Sequence, residues 1–336
     1  MEFERLEKCP PKNPNLLVKV TEMGNVVEVQ YMSNRNTKQT VQMLEGGEQY
    51  VILSTGEIKD VEHHDTRADN RKGLYKTFRN ARELINTNVT DVTYCRWITL
   101  TYAENMTDTK QLYRDFQQFN QRFQYFCKKQ DYGKPEYIVM MEPQGRGAWH
   151  AHLLYIWDCK APFIENAVLA DLWGHGFVKI KKLDNVDNVG AYLTAYLGDM
   201  ELQDAIDKQV EINGTVKTVE VLDDDGQKVT KRVLKGARLH LYPANFNMIR
   251  YSRGIKKPTV EMVSQKMAEK KVSGTTKTFE KTVKLTDRDN EFETIINTCQ
   301  YNRVRGKYQQ KNADTLKHMS SAYACVAREH SSGCED

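Results

Sequence analysis

No run of about 18 consecutive apolar residues occurs in this 336-residue chain, so no transmembrane helix is expected. The opening Met1-Glu-Phe-Glu-Arg5 is charged and lacks the apolar stretch of a secretory signal. Cysteine pairing is missing too. The seven cysteines (Cys9, Cys95, Cys127, Cys159, Cys299, Cys325 and Cys334) are odd in number, scattered, and form no CxxC pair. That excludes a zinc ribbon or a disulfide framework and suits reduced thiols in a cytoplasm. A strong charge of one sign is also lacking: 49 basic residues face 45 acidic ones, a net charge of +4. Many nucleic-acid binders are far more basic, so any DNA contact must rest on local patches. No internal repeat is visible. The 40% hydrophobic content is enough for a catalytic core of ordinary size with flanking material.

Three regions are expected, at 1–69, 70–200 and 201–336. The first is β-rich: Leu16–Val20 and Val26–Tyr31 flank the turn Met23-Gly-Asn25, and Gln49–Leu53 is a further short strand. Asn70–Ile85 carries Leu74, Phe78, Ala81 and Ile85 at helical spacing beside Arg71, Lys72, Lys76, Arg79 and Arg82, which reads as a solvated surface helix. In the middle region Trp97–Tyr102, Tyr137–Glu142, Trp149–Trp157 and Phe177–Leu183 read as strands. A helix beginning near Thr107–Thr109 carries Leu112, Phe116, Phe119, Phe123 and Phe126 at core spacing. A second helix opens at Pro162 and ends at Gly174-His-Gly176. His63 and His64 read as loop residues and His175 as a turn residue. Asp187 or Asn188 can cap a following helix.

The order β-α-β-β-α-β predicts an α+β, ferredoxin-like split βαβ core: an antiparallel sheet with two helices on one face and the other face bare. In the last region, Val216–Leu222 and Gln227–Leu234 flank Asp223-Asp-Asp-Gly226 as a hairpin insertion. Asp223–Gly226 lacks the spacing of a calcium loop. Tyr251–Asn290 is rich in Lys and Thr and reads as extended or partner-dependent, and Asn312–Arg328 allows a helix.

Chemistry concentrates in two places. Gly147-Ala-Trp-His-Ala-His-Leu-Leu-Tyr-Ile156 sets His150 and His152 two apart on a strand, hence on one face. Glu142 ends the preceding strand, and a hairpin through Pro143–Ala148 brings it opposite His150. Two imidazoles and a carboxylate suit a divalent cation, with Mn²⁺ favoured over Mg²⁺ because Mg²⁺ prefers oxygen. Metallo-β-lactamase-like and cupin-like patterns fail, since Leu154, Ile156 and Trp157 stand where those sites need acidic residues. In Gly190-Ala-Tyr-Leu-Thr-Ala-Tyr-Leu197, Tyr192 and Tyr196 are four apart and share a helix face. A phenol near pKa 10 attacks phosphorus only when the phosphate is activated elsewhere, and a bound cation supplies that activation.

The set Trp97–Met106, Glu142–His152 and Asp187–Leu197 resembles the three motifs of the HUH-superfamily rolling-circle replication initiators (Rep proteins) of bacterial plasmids and integrative elements. The likeness covers roughly residues 70 to 200, and Tyr251–Pro258 resembles a basic segment of the same group. It implies an HUH endonuclease core and a metal held by His150 and His152, to which Glu142 is added by position. It further implies nicking of single-stranded or extruded origin DNA by a tyrosine, leaving a 5′-phosphotyrosine and a free 3′-hydroxyl, and then strand rejoining. Many relatives carry Lys where this chain has Ala195, a role left to Lys179, Lys181 or Lys182. Tyr192 is the favoured nucleophile and Tyr196 the second. Arg146, Arg253, Lys256 and Lys257 are expected to meet phosphates, which position rather than specify.

Expected partners are origin DNA, the host replicative helicase and polymerase, and further copies of the chain, in a bacterial cytoplasm. Two alternatives stand beside this: a relaxase or transposase of the same chemistry, and a non-catalytic nucleic-acid-binding module on a similar sheet.

Overall fold

The computed structural model describes residues 2–35, 39–63, 65–68, 71–183, 188–194, 199–201, 216–222, 228–234, 236–287 and 292–305. In chain order the elements begin with β1 (Glu2–Leu6), β2 (Val18–Met23), β3 (Val26–Met32), β4 (Val41–Met43), β5 (Gln49–Ile52) and β6 (Ile58–Asp60). Then follow α1 (Arg71–Asn88), β7 (Cys95–Tyr102), α2 (Thr109–Lys129), β8 (Glu136–Pro143) and β9 (Trp149–Ile156). After these come α3 (Asn166–Trp173), β10 (Gly176–Lys181), α4 (Val189–Thr194), β11 (Met200–Glu201), β12 (Val216–Leu222) and β13 (Lys228–Leu234). The chain continues with β14 (Ile249–Tyr251), β15 (Thr259–Val263), α5 (Gln265–Val272), β16 (Thr276–Asp287) and β17 (Phe292–Asn302). The architecture is mixed α and β with antiparallel sheets. No helix among the described residues is long and apolar enough to cross a membrane.

Two compact units divide the chain, one from residues 1–35 and 258–336, the other from residues 36–257. These limits differ from the expected cuts at 69/70 and 200/201. Strand pairing, which ignores distance along the chain, explains the difference. The first unit is a six-stranded sheet of order β1-β16-β17-β3-β2-β15, in which amino-terminal strands alternate with carboxy-terminal ones. The hairpin expected around Met23 is present: Met23 pairs with Val26 across Gly24-Asn25, and Gly24 has φ 58°. A left-handed conformation there favours glycine. Residues 251–290, expected to be extended or partner-dependent, contribute β15, α5 and β16, and β2 and β17 of the same chain are the partners. The segment needs few large apolar residues because polar groups satisfy one another inside the sheet. The Asn297 side-chain amide donates to Thr282 Oγ1 at 3.0 Å, and both residues are buried. The helix expected over Asn312–Arg328 lies outside the described residues.

In the second unit the main sheet has the order β10-β7-β9-β8-β14, antiparallel throughout. One face is covered by α2 and α3. Ile98, Leu100, Val139, Met141, Leu153, Tyr155 and Val178 meet Leu112, Phe116, Phe119, Phe123, Leu169 and Trp173 in one buried cluster. The phenylalanine stripe is therefore core, as its spacing predicts, with Phe123 stacked on Tyr155 at 4.3 Å between ring centroids. Asp108 caps α2 by accepting from the Lys110 and Gln111 backbone N–H groups at 2.7 and 3.3 Å. Gly174, at φ 70°, closes α3. That helix starts at Asn166 rather than Pro162. The Ala161 and Pro162 carbonyls instead accept from the guanidinium of Arg96, at 2.6 and 3.1 Å, which holds them in a loop.

The opposite face is not bare. Leu84, Ile85 and Val89 of α1, with Val189 and Leu193 of α4, pack on Ile138, Met140 and Leu154. The helix expected to be a solvated surface element thus buries its apolar side, while Lys76 and Arg79 on its basic side are exposed. Gly190 allows α4 to approach α1: a Cβ there would lie 2.4 Å from the Arg82 carbonyl oxygen. The Asn86 carboxamide oxygen accepts from Gly190 N–H at 2.7 Å, and the Asn86 amide donates to Asn188 Oδ1 at 2.9 Å. Asn188 Oδ1 also accepts from Ala191 N–H at 3.0 Å, capping α4. Asp187, the other expected cap, lies outside the described residues. The hairpin insertion forms from β12 and β13, with β11 on the other side of β13.

Candidate functional site

The β8–β9 hairpin and β7 set side chains of this second face into rows. Directly opposed residues in an antiparallel pair share a face. One row runs Phe177, Thr101, His150, Glu142 across β10, β7, β9 and β8, and the next runs Lys179, Thr99, His152, Met140. A third runs Lys181, Trp97, Leu154, Ile138. Towards α1 and α4 the rows are apolar. At the other end, beyond the cover of those helices, they turn polar.

There Glu142, His150 and His152 meet. One potential ligand atom from each lies within 4.8 Å of the others. Glu142 Oε2 is 3.2 Å from His150 Nε2 and 3.3 Å from His152 Nε2. Its other oxygen, Oε1, is 2.6 Å from Arg238 Nη2. Glu142 is only 3% exposed. Burial opposes its ionisation, but the hydrogen bonds with His150 and His152 and the Arg238 charge outweigh that, so the carboxyl stays well below its usual range. Burial and the neighbouring His152 lower His150 to about 4, against the pull of Glu142. His150 is therefore neutral at physiological pH and its lone pair is available.

His152 is oriented by two neighbours. Its Nδ1 lies 3.1 Å from Thr99 Oγ1, and its ring stacks on Trp97 at 5.3 Å with an 8° interplanar angle. A proton on Nδ1 would be donated to Thr99, leaving the Nε2 lone pair to ligate. Converging nitrogen and oxygen donors, a neutral imidazole and an ionised carboxylate fit a divalent cation of the borderline kind.

The other expected site residues are distributed unevenly. Tyr192 lies on α4, half-buried against the apolar part of the face, and burial pushes its phenol up. Tyr196 lies outside the described residues. Arg146 is exposed in the hairpin loop, with its guanidinium donating to the Tyr102 carbonyl at 3.1 Å and Gln144 Oε1 at 3.0 Å. Lys179 and Lys182 are exposed and Lys181 half-buried, at the β10 edge. Arg253, Lys256 and Lys257 are exposed beyond β14, at the opposite edge, so the two basic groups are not brought together.

His175 is more than a turn residue. It lies 3.7 Å from the buried Asp115, which accepts from the Tyr102 hydroxyl at 2.8 Å. His63 pairs with Glu48 in an exposed loop, and His64 lies outside the described residues.

Two residues were missed by the sequence reading. Phe177 is 71% exposed in the row of His150 and Glu142; an aromatic at an outward position of an edge strand was the available signal. Arg238 carries no local signal, because it reaches Glu142 from nearly a hundred positions along the chain.

Comparison with curated proteins and with solved structures yields no match. Residues 95–201, from the first strand of this sheet to the end of the tyrosine-bearing segment, match a family model of replication-associated proteins, the ORF2 and gene 2 protein family. The matched stretch contains Glu142, His150, His152 and both tyrosines, and the similarity supports a role as a replication initiator acting on DNA.

Proposed function

We propose that the protein starts replication by nicking single-stranded or extruded origin DNA, as a rolling-circle initiator of the HUH type built on a ferredoxin-like core. The single observation carrying this is the convergence of Glu142, His150 and His152 beside the open part of the sheet. The strand order β10-β7-β9-β8, with a β8–β9 hairpin and crossover helices α2 and α3, supports the split βαβ core. Mn²⁺ or Mg²⁺, held by those three side chains, supplies Lewis-acid polarisation of the scissile phosphate.

The chain's own residues do the rest. Thr99 and Trp97 hold the His152 ring, and burial keeps His150 unprotonated. A tyrosine of the 192–196 segment attacks phosphorus through its phenolic oxygen. The new bond is tyrosine O–P, the broken bond is P–O3′, the phenolic proton leaves, and the 3′-oxygen takes one up. One phosphodiester replaces another, so no nucleotide cofactor is required. Rejoining is the same exchange in reverse. Lys179 and Arg146, at the rim of the site, are assigned to backbone phosphates, and Phe177 to a base face.

The test is a denaturing gel of the protein incubated with labelled single-stranded origin DNA and Mn²⁺. The expected product is a covalent protein–DNA band that needs the metal, disappears in His150→Ala, and is lost in Tyr192→Phe. If Tyr196→Phe alone abolishes it, Tyr196 is the nucleophile. Metal-independent cleavage, or DNA binding with no covalent band, would overturn the proposal in favour of a non-catalytic binding module.

A further inference from the structure

The Arg238 side chain joins two stretches of chain that the strand-transfer chemistry must keep in register. Its Nη2 meets Glu142 Oε1 at 2.6 Å, and its Nη1 donates to the Pro143 carbonyl at 3.2 Å. Its Nε donates to the carbonyl of Asp199, the first described residue after the segment holding Tyr196. Asp199 is itself buried, and its carboxylate accepts from Gly236 N–H at 2.9 Å, two residues before the arginine. The segment supplying Arg238 is well anchored: Tyr242, Phe246 and Met248 lie in the main core, and Arg67 donates to the Phe246 carbonyl at 2.7 Å.

We propose that Arg238 is a positioning residue of this site, resting on the reading of Glu142 as a metal ligand. One planar guanidinium fixes Glu142 by one oxygen, leaving Oε2 to face the two imidazoles, and ties the end of the tyrosine-bearing segment to that same carboxylate. Three donors in a rigid fork meet three acceptors on two segments, a task for which the single ammonium of lysine has no matching geometry. The functional unit therefore reaches beyond the family-matched residues 95–201 and includes the segment after the hairpin insertion.

The experiment uses full-length protein freed of metal. Mn²⁺ affinity is measured by titration calorimetry for wild type, Arg238→Lys, Arg238→Gln, Glu142→Gln and the double variant Arg238→Gln/Glu142→Gln. Melting temperatures and single-turnover nicking at saturating Mn²⁺ are recorded alongside. Removing an outer partner of a metal ligand weakens metal binding by roughly 10- to 100-fold, and that loss is expected for both Lys and Gln at 238. Nicking at saturating Mn²⁺ is expected to stay at least about tenfold slow, with DNA affinity unchanged, because the tyrosine-bearing segment is also released. In the double variant the arginine change is expected to add nothing to the loss caused by Glu142→Gln, since it acts through that carboxylate.

Wild-type Mn²⁺ affinity and nicking in both single variants would overturn the proposal. So would full rescue by lysine, which would mean that charge alone matters. Additive losses, or two variants that stay unfolded even at saturating Mn²⁺, would assign Arg238 to the fold only and overturn it too. Failure of the underlying reading looks different: His150→Ala would then bind Mn²⁺ as wild type does.

Discussion

The two faces of the five-stranded sheet differ in what they ask of their side chains. Under α2 and α3 nearly every position is apolar and aromatic rings interlock, from Phe119 and Phe123 to Tyr155 and Trp173. Under α1 and α4 the same strands are apolar for only part of their length, and then present Glu142, His150, His152 and Thr99. Burying a carboxylate and two imidazoles costs several kcal/mol unless each finds a partner. The second face meets that cost locally, through Arg238 and Thr99. The first face supplies the rigidity that keeps those partners aligned, because close-packed cores resist deformation. Catalytic geometry on one side thus rests on packing from the other.

The comparison breaks most sharply if the two faces are altered separately. His150→Ala should reduce nicking by about a thousandfold, roughly 4 kcal/mol in barrier, while shifting the melting temperature little. Nicking assays beside thermal unfolding check this, and retained nicking would remove His150 from the site. Phe123→Ala, on the packed face, should do the reverse. It should cost about 3–5 kcal/mol of stability by opening a cavity, with Mn²⁺ affinity unchanged where the protein remains folded. Denaturant unfolding measures the loss.

Two smaller effects sharpen the contrast within the second face. Phe177→Ala should weaken single-stranded DNA binding by about 1–3 kcal/mol if a base stacks on that ring. Fluorescence anisotropy would show it, and unchanged affinity would assign Phe177 to bare surface. Acid should also act first on this face. His150 titrates at about 4 in the fold against 6.5 when unperturbed, so between those values the unfolded chain binds a proton that the folded chain does not. The stability associated with neutral His150 is complete above about pH 6.5 and lost as pH falls towards 4. Melting of metal-free protein from about pH 7 to about pH 4.5 should therefore show a fall that His150→Ala reduces.

Much of the second unit was legible because its signals are local. The phenylalanine spacing of α2, the cap at Asp108, the terminating Gly174 and the alternation of β9 each depend on neighbours a few residues away. The opposition of Glu142 and His150 followed from a short hairpin, which sets register by its length. Other features depended on distant partners. Whether α1 would be solvated or packed turned on where α4 lay, and that rested on the Gly190 contact with Arg82 and Asn86. The Lys- and Thr-rich stretch from 251 onward became β15, α5 and β16 only by pairing with amino-terminal strands.

The order of residues alone determined the periodic elements, the strand carrying paired histidines and the carboxylate facing them, since these follow from backbone periods of 2 and 3.6. Tertiary structure alone decided which face was covered, how the chain's ends combine into one sheet, and that an arginine at position 238 holds Glu142. The reason is physical: periodicity orients a side chain within its own element, whereas burial and ion pairing depend on whatever surface another part of the chain brings against it.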